Sequence, residues 1–250
     1  SIHHNTDIKV YALVDPEIAL QAALDSEAKG AQRFSLVTSG RALNSRELDQ
    51  VVETFCLLNR KCSLSLCASL GILPKEALQS LQEAGVVTYH HNLESGPNYF
   101  SKVCTTHTFA DRVNTVRAAQ EAGLNVCSGG IIGLGESPLD RMEMFLELRQ
   151  LGVTSIPINS LVAIKGTRLE DQPPLQPEEI LRTCAVARLI LPGAMIRLAG
   201  GRELLGKSVS RALRGGVNAL LTGDYLTTTG SKTAQDIELI HSAGYLLTKK

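Results

Sequence analysis

Strand-like and helical patterns alternate one for one along this chain, and that alternation restricts it to parallel strands with helices outside them. The strand-like runs are Arg33–Ser39, Cys62–Ser69, Val86–Asn92, Asn125–Ile132, Ser155–Ile164, Met195–Ala199 and Asn218–Gly223. Helical patterns occupy Ser45–Asn59, Pro74–Ala84, Phe109–Ala122, Pro138–Leu151, Pro177–Leu191, Glu203–Leu213 and Ala234–Ala243, and a helix over Pro16–Gly30 precedes the first strand. The punctuation agrees. Pro74, Pro138 and Pro177 lie near helix starts, and Gly85, Gly123 and Gly152 come just after helix ends.

Seven strands set against eight helices, with a helix first, predict an α/β fold of the (β/α)8 TIM-barrel type whose first strand would precede Ser1. The competing arrangement is a complete open α/β sheet. The 250 residues match the usual length of one such barrel, and no low-complexity segment or linker divides them, so residues 1–250 are expected to form a single domain. Pro173-Pro174-Leu175-Gln176-Pro177 reads as a stiff loop, since proline cannot continue the preceding structure.

A formal net charge of zero leaves no electrostatic footprint for nucleic acid or an anionic membrane. No apolar run reaches the roughly 18 residues a membrane span needs, and Ser1–Asp7 has no signal-peptide character. The six scattered cysteines do not form a secreted disulfide framework, which points to the cytoplasm and to thiols that bind metal, react or pack.

In a parallel barrel the functional groups gather at the strand C-termini. The segment Asn125–Glu136 begins like a buried strand, carries Cys127 at its root and then places glycines at 129, 130, 133 and 135. Glycine there permits close approach of a ligand to the backbone. Other strand ends hold Thr38, then Cys62 and Cys67, then Tyr89-His90-His91-Asn92-Leu93-Glu94, then Asn159, Arg197, and Thr227-Thr228. No P-loop, H-E-x-x-H helix, Ser–His–Asp spacing or dinucleotide G-x-G-x-x-G is present.

These segments resemble the biotin synthase family of radical S-adenosylmethionine (SAM) enzymes. The resemblance rests on Tyr89–Glu94, Val126–Glu136, Pro157–Asn159, Lys165–Thr167, Ala185–Arg188, Ile196–Leu198, Gly201–Glu203 and Leu226–Thr228, in family order across nearly the whole chain. It implies sulfur insertion into dethiobiotin to form biotin, with SAM and a [4Fe-4S] cluster generating the radical and an auxiliary iron–sulfur cluster donating sulfur. By the same resemblance Asn92, Glu94, Gly129, Ile131, Gly133, Glu136 and Thr38 bind the cofactor. Glu94 stands where the family usually has an aspartate on the ribose hydroxyls. Asn92, Asn159, Thr227 and Thr228 face the substrate; an amide offers the donor and acceptor that a cyclic urea needs. Cys67, Cys127 and Arg197 match catalytic auxiliary-cluster ligands.

The chain departs from the family at several points. The fourth ligand position is Ser35, whose oxygen is a poor substitute for thiolate toward iron. Cys62, five residues before Cys67, is the candidate replacement, although alternation turns it to the opposite face. His90 stands where the family commonly has asparagine. The C-x3-C-x2-C loop that holds the radical cluster does not occur, and Ser1–Asp7 resembles the segment just downstream of it, so the loop and the first strand are expected before Ser1. Cys104 is expected near the barrel mouth, and Cys56 and Cys184 as packing residues. Family likeness also implies a flavodoxin or ferredoxin as electron donor and a homodimer. The alternatives are a radical SAM relative of maturase or methylornithine synthase type, and a non-catalytic barrel that only binds SAM or dethiobiotin.

Overall fold

The computed structural model describes residues 12–222 and 233–246. In chain order the strands are β1 (Arg33–Val37), β2 (Ser65–Ser69), β3 (Val86–His90), β4 (Asn125–Cys127), β5 (Gly130–Ile132), β6 (Ser155–Ser160), β7 (Met195–Leu198) and β8 (Ala219–Leu220). The helices are α1 (Pro16–Ala28), α2 (Ser45–Lys61), α3 (Lys75–Glu83), α4 (Phe100–Val103), α5 (Phe109–Glu121), α6 (Pro138–Gln150), α7 (Pro177–Ile190), α8 (Val209–Arg214) and α9 (Thr233–Ser242), with a 3₁₀ segment at Arg202–Ser208. Among the described residues the pairings β1–β2, β2–β3, β3–β4, β5–β6, β6–β7 and β7–β8 are all parallel, as the alternation predicted.

Two compact units divide the described chain. The first runs through Asn92 and adds Thr106–Ser128; the second takes Leu93–Thr105 and the chain from Gly129 onward. In the first unit the strand order is β1-β2-β3-β4, and β2 is the only strand partner of β1 among the described residues. One side of β1 is therefore an edge, where a barrel of this type was expected to need a further strand. Helix α2 begins at a reciprocal cap: the Asn44 side chain accepts from Glu47 N at 2.9 Å, and the Glu47 carboxylate accepts from Asn44 N at 2.8 Å. It buries Val51, Phe55 and Leu58, the last two with no exposed surface, each contributing about 1.5–3 kcal/mol of hydrophobic stabilisation. Thr108 and Asp111 cap α5 in the same way.

The second unit orders its strands β5-β6-β7-β8. Ser137 and Asp140 form the capping box of α6, whose Pro138 occupies the first turn, where a missing N–H leaves no bond unmade. Met144, Phe145 and Leu148 pack inward from that helix, and Ile132, Ile156, Ile158 and Ile196 fill the strands' side of the core.

Several sequence-based boundaries change, among them the strand expected over Ser155–Ile164, which ends at Ser160. Helix α2 runs through Lys61 with Cys62 as its C-cap, so β2 begins at Ser65 and not at Cys62. The run Asn125–Ile132 is two strands, β4 paired with β3 and β5 paired with β6, separated at Ser128–Gly129. Helix α4 and the 3₁₀ segment arise where the sequence predicted loop or continuous helix.

Candidate active site

In the second unit the glycine-rich segment turns back against Glu94. The amides of Leu93 and Glu94 both donate to the Gly129 carbonyl, at 2.9 and 3.2 Å, and Ile131 N donates to the Glu94 carbonyl at 2.9 Å. Glu94 adopts φ 70° and is the only non-glycine residue at positive φ among the described residues. A glutamate held in the left-handed region stores roughly 1–3 kcal/mol of strain, a feature concentrated at functional sites. Its carboxylate therefore leaves the backbone in a direction that an ordinary strand end would not provide.

The glycines divide by role. A Cβ on Gly129 would overlap the Pro157 carbonyl, and one on Gly130 would overlap Met144 Sδ and the Glu94 carbonyl. At both positions it is the protein's own backbone that approaches. Gly133 has φ 91°, and a Cβ there would lie 3.0 Å from Leu175 Cγ. Glu136, expected among the cofactor-binding residues, uses its carboxylate inside the turn. It accepts from Gly133 N at 2.8 Å, Leu134 N at 2.6 Å and Arg141 Nε at 2.5 Å. Arg141 in turn reaches Thr183 Oγ1 at 3.2 Å and Glu179 Oε1 at 2.9 Å. Glu136 thus shapes the Gly133–Leu134 backbone. The Tyr99 hydroxyl closes the same turn by donating to the Leu134 carbonyl at 3.1 Å, and burial, then the neighbouring Glu136 and Asp140 carboxylates, raise its pKa.

Asn159 is the register partner of Ile131. Its Oδ1 accepts from Gly200 N at 3.0 Å and its Nδ2 donates to the Gly130 carbonyl at 3.2 Å, which fixes the amide's orientation and leaves one donor hydrogen and one lone pair over. Arg197 lies on β7 between the register partners Pro157 and Ala219, with its guanidinium donating to Ser155 Oγ at 3.2 Å.

In the first unit, register collects a second set of side chains on one sheet face. Ser35 lies across from Cys67, Cys67 across from Thr88, and His90 across from Cys127. Alternation puts these five residues on one face. Cys67 and Cys127 are 2% and 1% exposed, whereas Ser35 on the edge strand is exposed. Thr38 follows the tip of β1, its amide donating to the Ser69 carbonyl at 3.0 Å. Beyond β3, Asn92 is held through its carbonyl by Arg112 Nη1 at 3.0 Å. His91, buried beside it, has its pKa lowered to about 3 by burial, then by the Arg112 and His107 charges.

The structure corrects the expected role of Cys62. It ends α2, its thiol donates to the Leu58 carbonyl at 3.2 Å, and it lies ahead of β2, at the opposite end from the strand tip. Cys62 is not brought to Cys67. Thr227 and Thr228 lie outside the described residues. Arg112, Arg141 and Tyr99 escaped sequence reading: Arg112 and Tyr99 act on backbone carbonyls 20 and 35 residues away, and Arg141 ties Glu136 to Thr183 and Glu179 on α7.

Among the described residues no three His, Cys, Asp or Glu side chains converge as a single metal ion requires. A polynuclear cluster makes a looser demand, because its ligands attach to different irons. Two buried thiols on one face fit such a cluster, whose usual ligands are thiolates. The strained Glu94 beside a glycine turn fits a hydroxyl-rich cofactor.

Parallel strands with helices between them make an α/β fold of the barrel type, and in its first unit two buried thiols share one sheet face. The profile of the radical SAM superfamily matches residues 3–148, and that of the biotin and thiamin synthesis associated domain matches residues 157–246. The chain is 49% identical to the biotin synthase of Acetivibrio thermocellus over 242 residues, covering 97% of this chain and 76% of that protein. It is 51% identical to the biotin synthase of Clostridium perfringens over 244 residues, covering 98% and 76%. Among solved structures, a methylornithine synthase superposes with TM-score 0.78 at 18% identity, covering 97% of this chain and 76% of that one. The hydrogenase maturase HydG of Carboxydothermus hydrogenoformans gives TM-score 0.80 at 18% identity, covering 97% and 61%. At that identity the two structures speak to fold alone. The chain belongs to the biotin synthase family of the radical SAM superfamily, a family that implies SAM, a [4Fe-4S] cluster and an auxiliary cluster.

Proposed function

We propose that this chain carries out the reaction of its family, the insertion of sulfur into dethiobiotin to form biotin. The observation that supports it most is the sharing of one sheet face by Cys67 and Cys127, both buried, in a chain half identical to biotin synthases. When bound, SAM with the radical cluster supplies hydrogen abstraction from unactivated carbon, and the auxiliary cluster supplies sulfur.

The chain's own residues bind and orient. Glu94 presents its carboxylate to the ribose hydroxyls, Ile131 and the Gly129–Gly133 backbone border the adenine, and Asn92 and Thr38 complete the cofactor contacts. Glu136 and Arg141 hold the glycine turn in the shape those contacts need. Asn159, with its amide already oriented by Gly130 and Gly200, offers its remaining donor and acceptor to the ureido ring. Thr227 and Thr228 take the substrate carboxylate. Cys67, Cys127 and Arg197 hold the auxiliary cluster. A flavodoxin or ferredoxin supplies the electrons, the protein works as a homodimer, and it resides in the cytoplasm, in keeping with the absence among the described residues of a helix long and apolar enough to cross a membrane.

The test is anaerobic turnover by protein that includes the family's C-x3-C-x2-C loop, supplied with SAM, a reductant and dethiobiotin, with biotin read by mass spectrometry. Stoichiometric biotin that is lost in Cys127→Ala is the expected result. SAM cleavage without biotin under any condition would count against dethiobiotin and favour another substrate.

A further inference from the structure

The first unit carries two departures on the same sheet face. Ser35 faces Cys67 across the β1–β2 pair, and His90 faces Cys127 across the β3–β4 pair. The direction of His90 follows from its neighbours. Tyr89 and His91 stack on the other face with ring centroids 6.3 Å apart and 23° between planes. The Tyr89 hydroxyl donates to the Gly71 carbonyl at 2.8 Å, and His91 is 4% exposed. The residue between them turns to the side of Cys67 and Cys127. Thr88, the register partner of Cys67, is two residues before His90. His90 is thus one strand spacing, about 4.8 Å, from Cys127, and one spacing across and roughly 6.6 Å along from Cys67.

The chemistry of the set is informative. A serine hydroxyl is a hard, weak donor toward iron–sulfur, whereas neutral imidazole ligates iron well and replaces cysteine in Rieske centres. Cys62, the other candidate to make up the ligand count, is occupied at the end of α2. The face that lost a thiolate at Ser35 has an imidazole at His90.

We propose that His90 is a ligand of the auxiliary iron–sulfur cluster, together with Cys67 and Cys127, and supplies the bond that Ser35 does not. This rests on the assignment to biotin synthase chemistry. Exchanging an anionic thiolate for a neutral imidazole removes one negative charge from the ligand set, so the cluster is more easily reduced than an all-cysteine equivalent.

The experiment uses full-length protein grown with nitrogen-15-labelled histidine, reconstituted anaerobically and compared with unlabelled protein. Pulsed EPR of the reduced auxiliary cluster is expected to show a nitrogen coupling that changes with the label, which separates histidine from Arg197. That coupling disappears in His90→Asn, and the iron bound beyond the radical cluster falls by at least half. His90→Cys restores the iron without the coupling and shifts the cluster potential negative, an outcome that a folding role for His90 does not produce. Ser35→Ala keeps both iron and coupling. An auxiliary cluster whose coupling ignores the label, with full iron retained in His90→Asn, overturns the proposal. A wild-type protein with no iron beyond the radical cluster, unchanged in Cys67→Ala and Cys127→Ala, removes the auxiliary cluster itself and with it the functional reading.

Discussion

Glu94 combines a carboxylate with a backbone conformation that glutamate disfavours. Asparagine tolerates the left-handed region better, so Glu94→Asn is expected to leave stability unchanged or raise it by up to about 1 kcal/mol. The same change removes a charged acceptor, and SAM affinity is expected to fall about tenfold or more by calorimetry. A variant that loses stability and keeps its affinity would assign Glu94 a purely structural role. His91 supplies a pH dependence with a definite sign. Its folded pKa of about 3 lies below the ordinary 6.5, through burial first and then the Arg112 and His107 charges. Between those values the unfolded chain binds a proton that the folded chain does not, so this contribution is complete above pH 6.5 and is lost as pH falls toward 3. Urea titrations at several pH values are expected to show a shallower acid dependence in His91→Gln, by up to about 1.4 kcal/mol per pH unit. Identical slopes in the two proteins would contradict the buried neutral imidazole.

At the scale of the element, the β5–α6 turn is held from inside by Glu136, Arg141 and Tyr99. Arg141→Met leaves the Glu136 carboxylate buried without its counter-charge and is expected to destabilise the protein by about 3–5 kcal/mol. Denaturation midpoints check this, and a loss below about 1 kcal/mol would mean that the carboxylate relocates or takes up a proton. Gly133→Val brings a branched side chain to a φ of 91° and against Leu175. SAM binding in full-length protein is expected to weaken at least tenfold by calorimetry, because the turn must open to admit the side chain. Helix punctuation was legible at this scale: Pro138 and Pro177 start α6 and α7 where the sequence placed them. The split of Asn125–Ile132 was not, since it depends on the Pro157 carbonyl packed against Gly129 from a strand nearly thirty residues on.

At the scale of the molecule, the C-terminal helix α9 is tied into the second unit by an ion pair. Arg202 Nη2 meets both Asp236 oxygens, at 2.8 and 2.9 Å, with the side chains only 8% and 9% exposed. Asp236→Asn is expected to cost about 3–5 kcal/mol and to speed amide exchange in α9 ahead of β6 and β7. Uniform acceleration across the second unit would show instead that α9 unfolds only with the rest.

The sequence by itself determined the class of fold and the family. Period and punctuation are local, so alternating strands and helices, their caps and the order of the motifs could be read from neighbouring residues alone. Tertiary structure decided which side chains meet. Packing of Phe55 and Leu58 accompanies an α2 that runs to Lys61, and this takes Cys62 out of the strand where alternation had placed it. The hydrogen bonds of Glu136 turned an expected cofactor contact into the support of a turn. The register of β3 against β4 set His90 beside Cys127. The Glu136 bonds to Gly133 and Leu134 are local, but Arg141 anchors that carboxylate to Thr183 and Glu179 on α7. Register across a sheet is a property of two strands that neither strand's own sequence contains.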